Sequence, residues 1–162
     1  MKDYFYAIGY HGTDKQHIQN ILNGIDFAKN KDEKSSRFLG QGFYLWRDSY
    51  ERAFRWAKKN EHPTVILAKV KCKKENVLNF TSRSWGKEKE LINIYLKSFS
   101  DMYFGEFLDM IIYDYKENYN LVIISDLGSS PLQVMINNVA FVFSDTQICV
   151  KNEKPIQLYG EV

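Results

Sequence analysis

Two short stretches decide the fold that this sequence predicts. They are the tripeptide His11-Gly12-Thr13 and the run Leu39-Gly40-Gln41-Gly42-Phe43-Tyr44-Leu45. The strand-like residues 5–10 end at the histidine, and the two glycines of the run form a turn before the strand-like residues 43–46. Each stretch therefore adjoins the end of a strand, and together they predict a pocket split between two strands.

A helix is predicted directly after the first stretch. Thr13 and Gln16 have the spacing of a capping box, and Gly24 is placed to act as the C-cap. Between them, apolar residues recur with helical spacing. These residues are Ile18, Ile21, Leu22 and Ile25. The polar segment 28–38 that follows predicts an exposed loop.

The second stretch is also followed by a predicted helix. Asp48 and Glu51 have the spacing of its capping box. The apolar stripe that faces the core is predicted at Tyr50, Ala53, Phe54 and Ala57. Trp56 falls about 110° from the centre of this stripe on a helical wheel. We therefore expect Trp56 on the flank of the helix, where its ring and that of Tyr44 can sandwich a flat ligand.

The rest of the chain predicts further elements of an α+β domain. Residues 86–116 carry a helical pattern with a break near Gly105. Strands are predicted at 65–72, 121–124, 139–143, 147–150 and 156–159, and a short helix at 131–137. No internal repeat or linker divides the sequence, so a single domain is predicted for residues 1–162.

Composition narrows the functional classes. With 22 basic and 20 acidic residues the net charge is +2, which gives no strong electrostatic argument for a nucleic-acid partner. Cys72 and Cys149 lack metal-ligand spacing and the three histidines are scattered, so no metal site is predicted. No run is long and apolar enough to span a membrane, which predicts a cytoplasmic protein without a membrane partner.

The order of these motifs resembles a known family. Three segments resemble the first two motif blocks of the diphtheria-toxin-like ADP-ribosyltransferases, the branch that contains the poly(ADP-ribose) polymerases. They are Tyr10-His11-Gly12-Thr13, Gly40-Gln41-Gly42-Phe43-Tyr44-Leu45 and Ala53-Phe54-Arg55-Trp56-Ala57. Residues 119–124 and 146–150 resemble the third block, and 75–118 match none. More narrowly, the pattern is similar to small bacterial proteins of that branch. The resemblance implies an ADP-ribosyltransferase-like domain with a split β-sheet core, flanking helices and NAD as the substrate.

The resemblance also implies how the first stretch binds NAD. His11 is expected to hydrogen-bond the adenosine-side ribose. The backbone of Gly12, assisted by Thr13, is expected to hold the nicotinamide carboxamide. A glycine suits this place because it has no Cβ to keep another group away from the backbone.

Four further residues complete the site that the resemblance implies. Tyr44 is expected to stack on the nicotinamide, Trp56 takes the place of a second stacking aromatic, and Gly42 belongs to the same binding set. The catalytic set is His11, Tyr44 and Gln147. In polymerase members the third position is a glutamate at the start of a strand, but here it is Gln147. An amide cannot deprotonate a nucleophile, which favours transfer of a single ADP-ribose over polymer growth.

The sequence leaves several functions open. The leading hypothesis is an NAD-dependent mono-ADP-ribosyltransferase that acts on a protein or nucleic-acid acceptor. The resemblance to the family also implies a toxin role in a toxin–antitoxin or phage-defence system. Such a role implies an antitoxin or immunity partner. The alternatives are a weak or inactive module that binds NAD or ADP-ribose, an NAD glycohydrolase, and an RNA 2′-phosphotransferase. The last is disfavoured because this sequence lacks the basic residues and the second histidine at the positions that match such an enzyme. A purely structural alternative treats His11 as a polar residue at a strand end and both aromatics as core residues.

Overall fold

Seven strands form one mixed sheet in the computed structural model, which describes residues 3–28, 39–81, 86–124 and 146–162. In chain order the strands are β1 (Tyr4–Asp14), β2 (Phe43–Arg47), β3 (Pro63–Lys73), β4 (Val77–Asn79), β5 (Leu121–Ile124), β6 (Gln147–Val150) and β7 (Ile156–Glu161). Their order across the sheet is β4-β5-β6-β2-β1-β3-β7. The β4–β5 pair is parallel and the other pairs are antiparallel.

The described residues also form four α-helices. They are α1 (Ile18–Asn23), α2 (Tyr50–Ala57), α3 (Lys87–Ser98) and α4 (Phe104–Asp109). Short 3₁₀ turns lie at Lys15–His17 and Lys74–Asn76, and a π-helical turn, Met110–Asp114, extends α4. None of the described helices is both long and apolar enough to cross a membrane.

Both faces of the sheet bury apolar side chains, because successive residues of a strand point to opposite sides. On the back face, Phe5, Leu45 and Ile148 belong to a cluster that also packs against residues of the α1 segment. On the front face, α3 and α4 pack over β4, β5 and β6, and α2 packs over β1. The predicted α+β class is therefore confirmed, with a single sheet at its centre.

Most predicted strands are confirmed with small shifts in their ends. The predictions at 65–72, 121–124, 147–150 and 156–159 correspond to β3, β5, β6 and β7. The C-cap at Gly24 is also confirmed, since its N–H donates to the Asn20 carbonyl. The predicted helix at 131–137, the strand at 139–143 and all but the first residue of the 28–38 loop lie outside the described residues.

The predicted end of the first strand is wrong. Strand β1 does not stop before His11 but pairs with β3 as far as Asp14 opposite Pro63. Thr13 is therefore a buried strand residue and not a helix cap. The cap is Asp14, whose carboxylate accepts a hydrogen bond from the backbone N–H of Gln16. Its second oxygen accepts one from the backbone N–H of His62. The second of these bonds involves a residue 48 positions away, which local spacing does not reveal.

Two helix predictions also need correction. The capping box at Asp48 and Glu51 is wrong, because the hydroxyl of Ser49 accepts from the Arg52 N–H and α2 begins one residue later than predicted. The break near Gly105 is wrong as well. The chain leaves α3 after Ser98, and Gly105 is a buried residue inside α4. Its neighbours Phe104 and Phe107 are buried in the front-face core, and tertiary packing of this kind outweighs the low helix propensity of glycine.

The predicted core stripe of α2 is right for its two alanines and wrong for its aromatic start. Ala53 and Ala57 are fully buried, whereas Tyr50 is 41% exposed. Trp56 is 45% exposed, which confirms its predicted place on the flank of the helix.

Candidate functional site

Strands β1 and β2 separate soon after they meet. Their ladder consists of two pairs, Gly9 opposite Arg47 and Tyr10 opposite Trp46. Strand β1 continues beyond Tyr10 toward Asp14, and β2 begins three residues before Trp46, yet no further pair forms between them. The two strands therefore leave a gap beyond Tyr10, where the next hydrogen-bonded pair of the ladder would join Gly12 to Tyr44.

The backbone of Gly12 faces this gap. The Ile8 carbonyl accepts from the Asp48 N–H, so Ile8 presents its polar backbone groups toward β2. Because backbone groups alternate in direction along a strand, Tyr10 and Gly12 present theirs to the same side. No pair of the β1–β2 ladder involves Gly12, so the N–H and C=O that it directs to this side are not hydrogen-bonded to β2. Gly12 thus offers one donor and one acceptor to a planar group in the gap.

His11 closes the other side of the gap. Its Nδ1 lies 2.8 Å from the Tyr44 carbonyl oxygen, and its ring stacks on Phe43 at 4.0 Å between centroids. A carbonyl can only accept, so Nδ1 carries the proton in this bond. In the neutral imidazole, Nε2 is consequently a hydrogen-bond acceptor.

The imidazole is held in its neutral form. Burial lowers the pKa of His11 from its usual 6.5 to about 4, and the positive charge of Lys59 acts in the same direction, while the bond to Tyr44 opposes both. A group with this pKa is a poor general base at neutral pH. It is suited to accepting a hydrogen bond from a hydroxyl.

Tyr44 contributes to the site through its backbone and its ring. The carbonyl binds His11, and the phenol donates to the Gly40 carbonyl at 2.5 Å. The partly buried ring packs against the front-face core. Burial raises the pKa of the Tyr44 phenol well above its usual 10, so the hydroxyl stays protonated as a donor. The ring is thus fixed by the turn that precedes it.

A buried ion pair fixes the turn itself, and sequence reasoning missed it. Lys151 is 1% exposed and donates to the carbonyls of Leu39 at 2.5 Å and Gln41 at 2.7 Å, and to Asp109 Oδ1 at 3.2 Å. The same carboxylate accepts the Gln41 N–H. Gly40 has φ +79°, and a Cβ there would overlap Asp109. Asp109 comes from α4, so one role of the helical segment 86–116 is to hold this turn.

Helix α2 explains why residue 12 is a glycine. A Cβ on Gly12 would overlap the Ala53 carbonyl oxygen of α2. Because Gly12 has no side chain, the backbone of α2 packs directly against it. The edge of β1 that faces the gap stays open to a ligand. On the flank of α2, Trp56 lies beneath Lys59, whose Nζ is 3.9 Å from the ring centroid. The charge of Lys59 reaches both Trp56 and His11, and no sequence motif marked it.

Gln147 lies on the front face of the sheet, beside Tyr44. It pairs with Trp46, and Trp46 pairs with Tyr10 on its other side. Tyr44 is two residues along β2, a diagonal neighbour of Gln147 at about 7–8 Å. His11 points to the back face, as its stacking on Phe43 requires. His11 and Tyr44 therefore meet at the gap, whereas Gln147 lies on the opposite face of the sheet from the His11 side chain.

Two predicted binding residues have structural surroundings that differ from the expectation. Thr13 is 7% exposed and pairs with Thr64, so it does not sit at a helix mouth. Gly42 is buried against β6, where a Cβ would meet Cys149 Sγ at 2.5 Å. Its glycine is required by strand packing. Burial raises the pKa of the Cys149 thiol, and this cysteine donates to the Gln41 carbonyl.

Comparisons with known proteins leave the family undecided. No protein-family model and no curated protein matches the chain. Within the described residues, no group of three or more His, Cys, Asp or Glu side chains is arranged to hold a metal ion.

Proposed function

We propose that this protein is an NAD-dependent mono-ADP-ribosyltransferase that binds the nicotinamide of NAD in the gap between β1 and β2. The observation that carries the proposal is the Gly12 backbone, whose donor and acceptor face the gap beside a partly exposed, neutral His11. A carboxamide has one acceptor oxygen and one donor amine in a plane. It matches the paired N–H and C=O that Gly12 presents.

The surrounding side chains support the same assignment. His11 Nε2 can accept a ribose hydroxyl, because its pKa of about 4 leaves it unprotonated. Tyr44 borders the gap, and Lys59 supplies positive charge on the same side for the pyrophosphate of the substrate. Gln147 is 8% exposed on the face of Tyr44 and offers an amide to hydroxyl groups.

The chemistry that these groups support is a substitution at the ribose carbon. The bond from C1′ to the nicotinamide nitrogen breaks, and nicotinamide leaves as a neutral molecule with the bonding electrons. The ribosyl centre gains oxocarbenium character, as in glycoside cleavage. An acceptor nucleophile then forms the new bond to C1′ and releases its proton to solvent. Positioning by backbone and side chains is the main contribution of the protein, since Gln147 provides no carboxylate for general-base catalysis.

The direct test is to incubate the purified protein with a cell lysate and NAD labelled in its adenine. We expect release of nicotinamide together with label on a macromolecule, measured by mass spectrometry of the protein and nucleic-acid fractions. Label recovered only as free ADP-ribose would replace the proposal with a glycohydrolase. Binding of NAD without nicotinamide release would replace it with a binding module.

A further inference from the structure

The front face of β1 and β3 carries a regular array of tyrosines and lysines that the proposed function does not use. In the ladder, Tyr6 lies opposite Lys71 and Ile8 opposite Lys69. We call this surface the Lys–Tyr face and define it by Tyr4, Tyr6, Ile8, Lys69, Lys71 and Tyr159. The helices α2, α3 and α4 pack elsewhere on the front face, so this part of the sheet is exposed.

The aromatic rings of this face are open to solvent. Tyr6 is 50% exposed, Tyr159 is 49% exposed and Ile8 is 42% exposed. The ring centroids of Tyr4 and Tyr6 are 6.2 Å apart, consistent with neighbours on alternate positions of one strand. Exposed tyrosine rings on a flat sheet are surfaces on which nucleobases stack.

The lysines lie among these rings. Lys71 Nζ is 5.0 Å from the Tyr4 centroid and 5.6 Å from the Tyr6 centroid, and Lys69 Nζ is 4.8 Å from the Tyr159 centroid. Lys154 borders a groove of about 630 Å³ that is also lined by Tyr6, Lys69 and Lys71. The acidic residue in the groove wall, Asp48, pairs with Arg47 at 3.4 Å. The array is therefore locally basic although the net charge of the chain is only +2.

From this juxtaposition we propose that the Lys–Tyr face binds single-stranded nucleic acid, with bases on the tyrosine rings and phosphates on the lysines. An acidic peptide would use the lysines but would leave the exposed tyrosine rings without a role. A duplex would keep its bases stacked inside and away from those rings. Single strands combine both chemistries, base stacking and backbone charge.

The position of the face relates it to the NAD site. Ile8 lies four residues before Gly12 on the same strand, a distance of about 13 Å at the usual rise per residue. A strand bound to the face would thus pass close to the gap. The face can bind a nucleic acid whether or not the gap binds NAD. The inference that the bound strand is the acceptor of ADP-ribose rests on the proposed function.

The test is fluorescence anisotropy with a labelled 16-nucleotide single-stranded DNA, the same sequence as RNA, its duplex, and polyglutamate as a competitor. We expect binding of a single strand that weakens with salt and is at least tenfold weaker in Lys69→Glu/Lys71→Glu. Lys89→Glu/Lys97→Glu makes the same charge change on exposed lysines of α3 and is expected to stay within twofold. Loss of two phosphate contacts should also reduce the salt slope by about 1.4.

Aromatic substitutions separate stacking from simple charge attraction. Tyr6→Ala and Tyr159→Ala are each expected to weaken binding about fivefold or more, whereas Tyr115→Ala, at a 70% exposed tyrosine elsewhere, leaves it unchanged. Equal losses in both lysine pairs, unchanged binding in the tyrosine variants, tighter binding of duplex or efficient competition by polyglutamate would each overturn the proposal. Nicotinamide release measured in the same samples tests the proposed function separately, because Lys69→Glu/Lys71→Glu leaves the gap intact.

Discussion

Replacing His11 with alanine is expected to lower kcat/KM for nicotinamide release about 100-fold. The substitution removes the bond to the Tyr44 carbonyl and the stacking on Phe43. It also removes the nitrogen that we propose accepts a ribose hydroxyl. Loss of one positioning group at a transition state costs rates of this order. His11→Gln should retain more activity, because its amide can donate to Tyr44 and still accept from a hydroxyl.

His17→Ala is the matched control for this experiment. His17 lies at the start of α1 and makes no side-chain capping bond there, so its loss should leave the rate unchanged. In the wild type, the rate should show no titration near pH 6.5, since the pKa of His11 is about 4, and should fall only as the pH approaches that value. A His11→Ala protein with the wild-type rate, or a wild-type transition near pH 6.5 that His11→Gln abolishes, would contradict the assigned role.

Lys151→Met is expected to lower the free energy of unfolding by about 3 kcal/mol. The change removes a fully buried ammonium group from Asp109 and from the carbonyls of Leu39 and Gln41. Removing one partner of a buried ion pair costs about 3–5 kcal/mol, and we take the lower end because Asp109 is 25% exposed. Urea denaturation should show a lower midpoint with an unchanged slope.

Lys97→Met provides the comparison, because it makes the same change on an exposed residue of α3. It should alter the unfolding free energy by less than about 0.5 kcal/mol. Since the Lys151 network holds the turn before Tyr44, Lys151→Met should also reduce nicotinamide release in the molecules that remain folded. A Lys151→Met protein as stable as wild type would show that the buried charge is compensated in another way.

Sequence patterns predicted the elements of the fold well where the pattern was local. The alternating residues of β3 and the short apolar runs of β5 and β6 needed only their own periodicity. The off-stripe position of Trp56 followed from helical geometry. The ends of elements were predicted less well. The continuation of β1 through Thr13 depends on pairing with Thr64, and the Asp14 cap on a bond to His62.

The candidate site shows the same division. The sequence predicted that His11, Gly12 and Tyr44 belong together, and they lie around one gap. It could not predict that Lys151 and Asp109 fasten the turn, because both are charged residues that periodicity would place on the surface. Their burial arises from contacts across 42 residues of chain. The clustering of Lys69 and Lys71 could not be predicted either, because a net charge of only +2 does not show where basic residues lie together.

The central claim, that the Gly12 backbone holds the nicotinamide carboxamide, can be measured at that residue alone. His11-Gly12 is the only His–Gly step in the sequence, so carbonyl-¹³C histidine with ¹⁵N glycine yields one NMR cross-peak, that of the Gly12 amide. Titration with NAD should move this peak downfield in a saturable way, because the N–H gains a hydrogen-bond acceptor. Nicotinamide, which cannot be cleaved further, should have the same effect. ADP-ribose should not move the peak, because it has no carboxamide. A Gly12 amide that stays in place while NAD binds elsewhere on the protein would contradict the account.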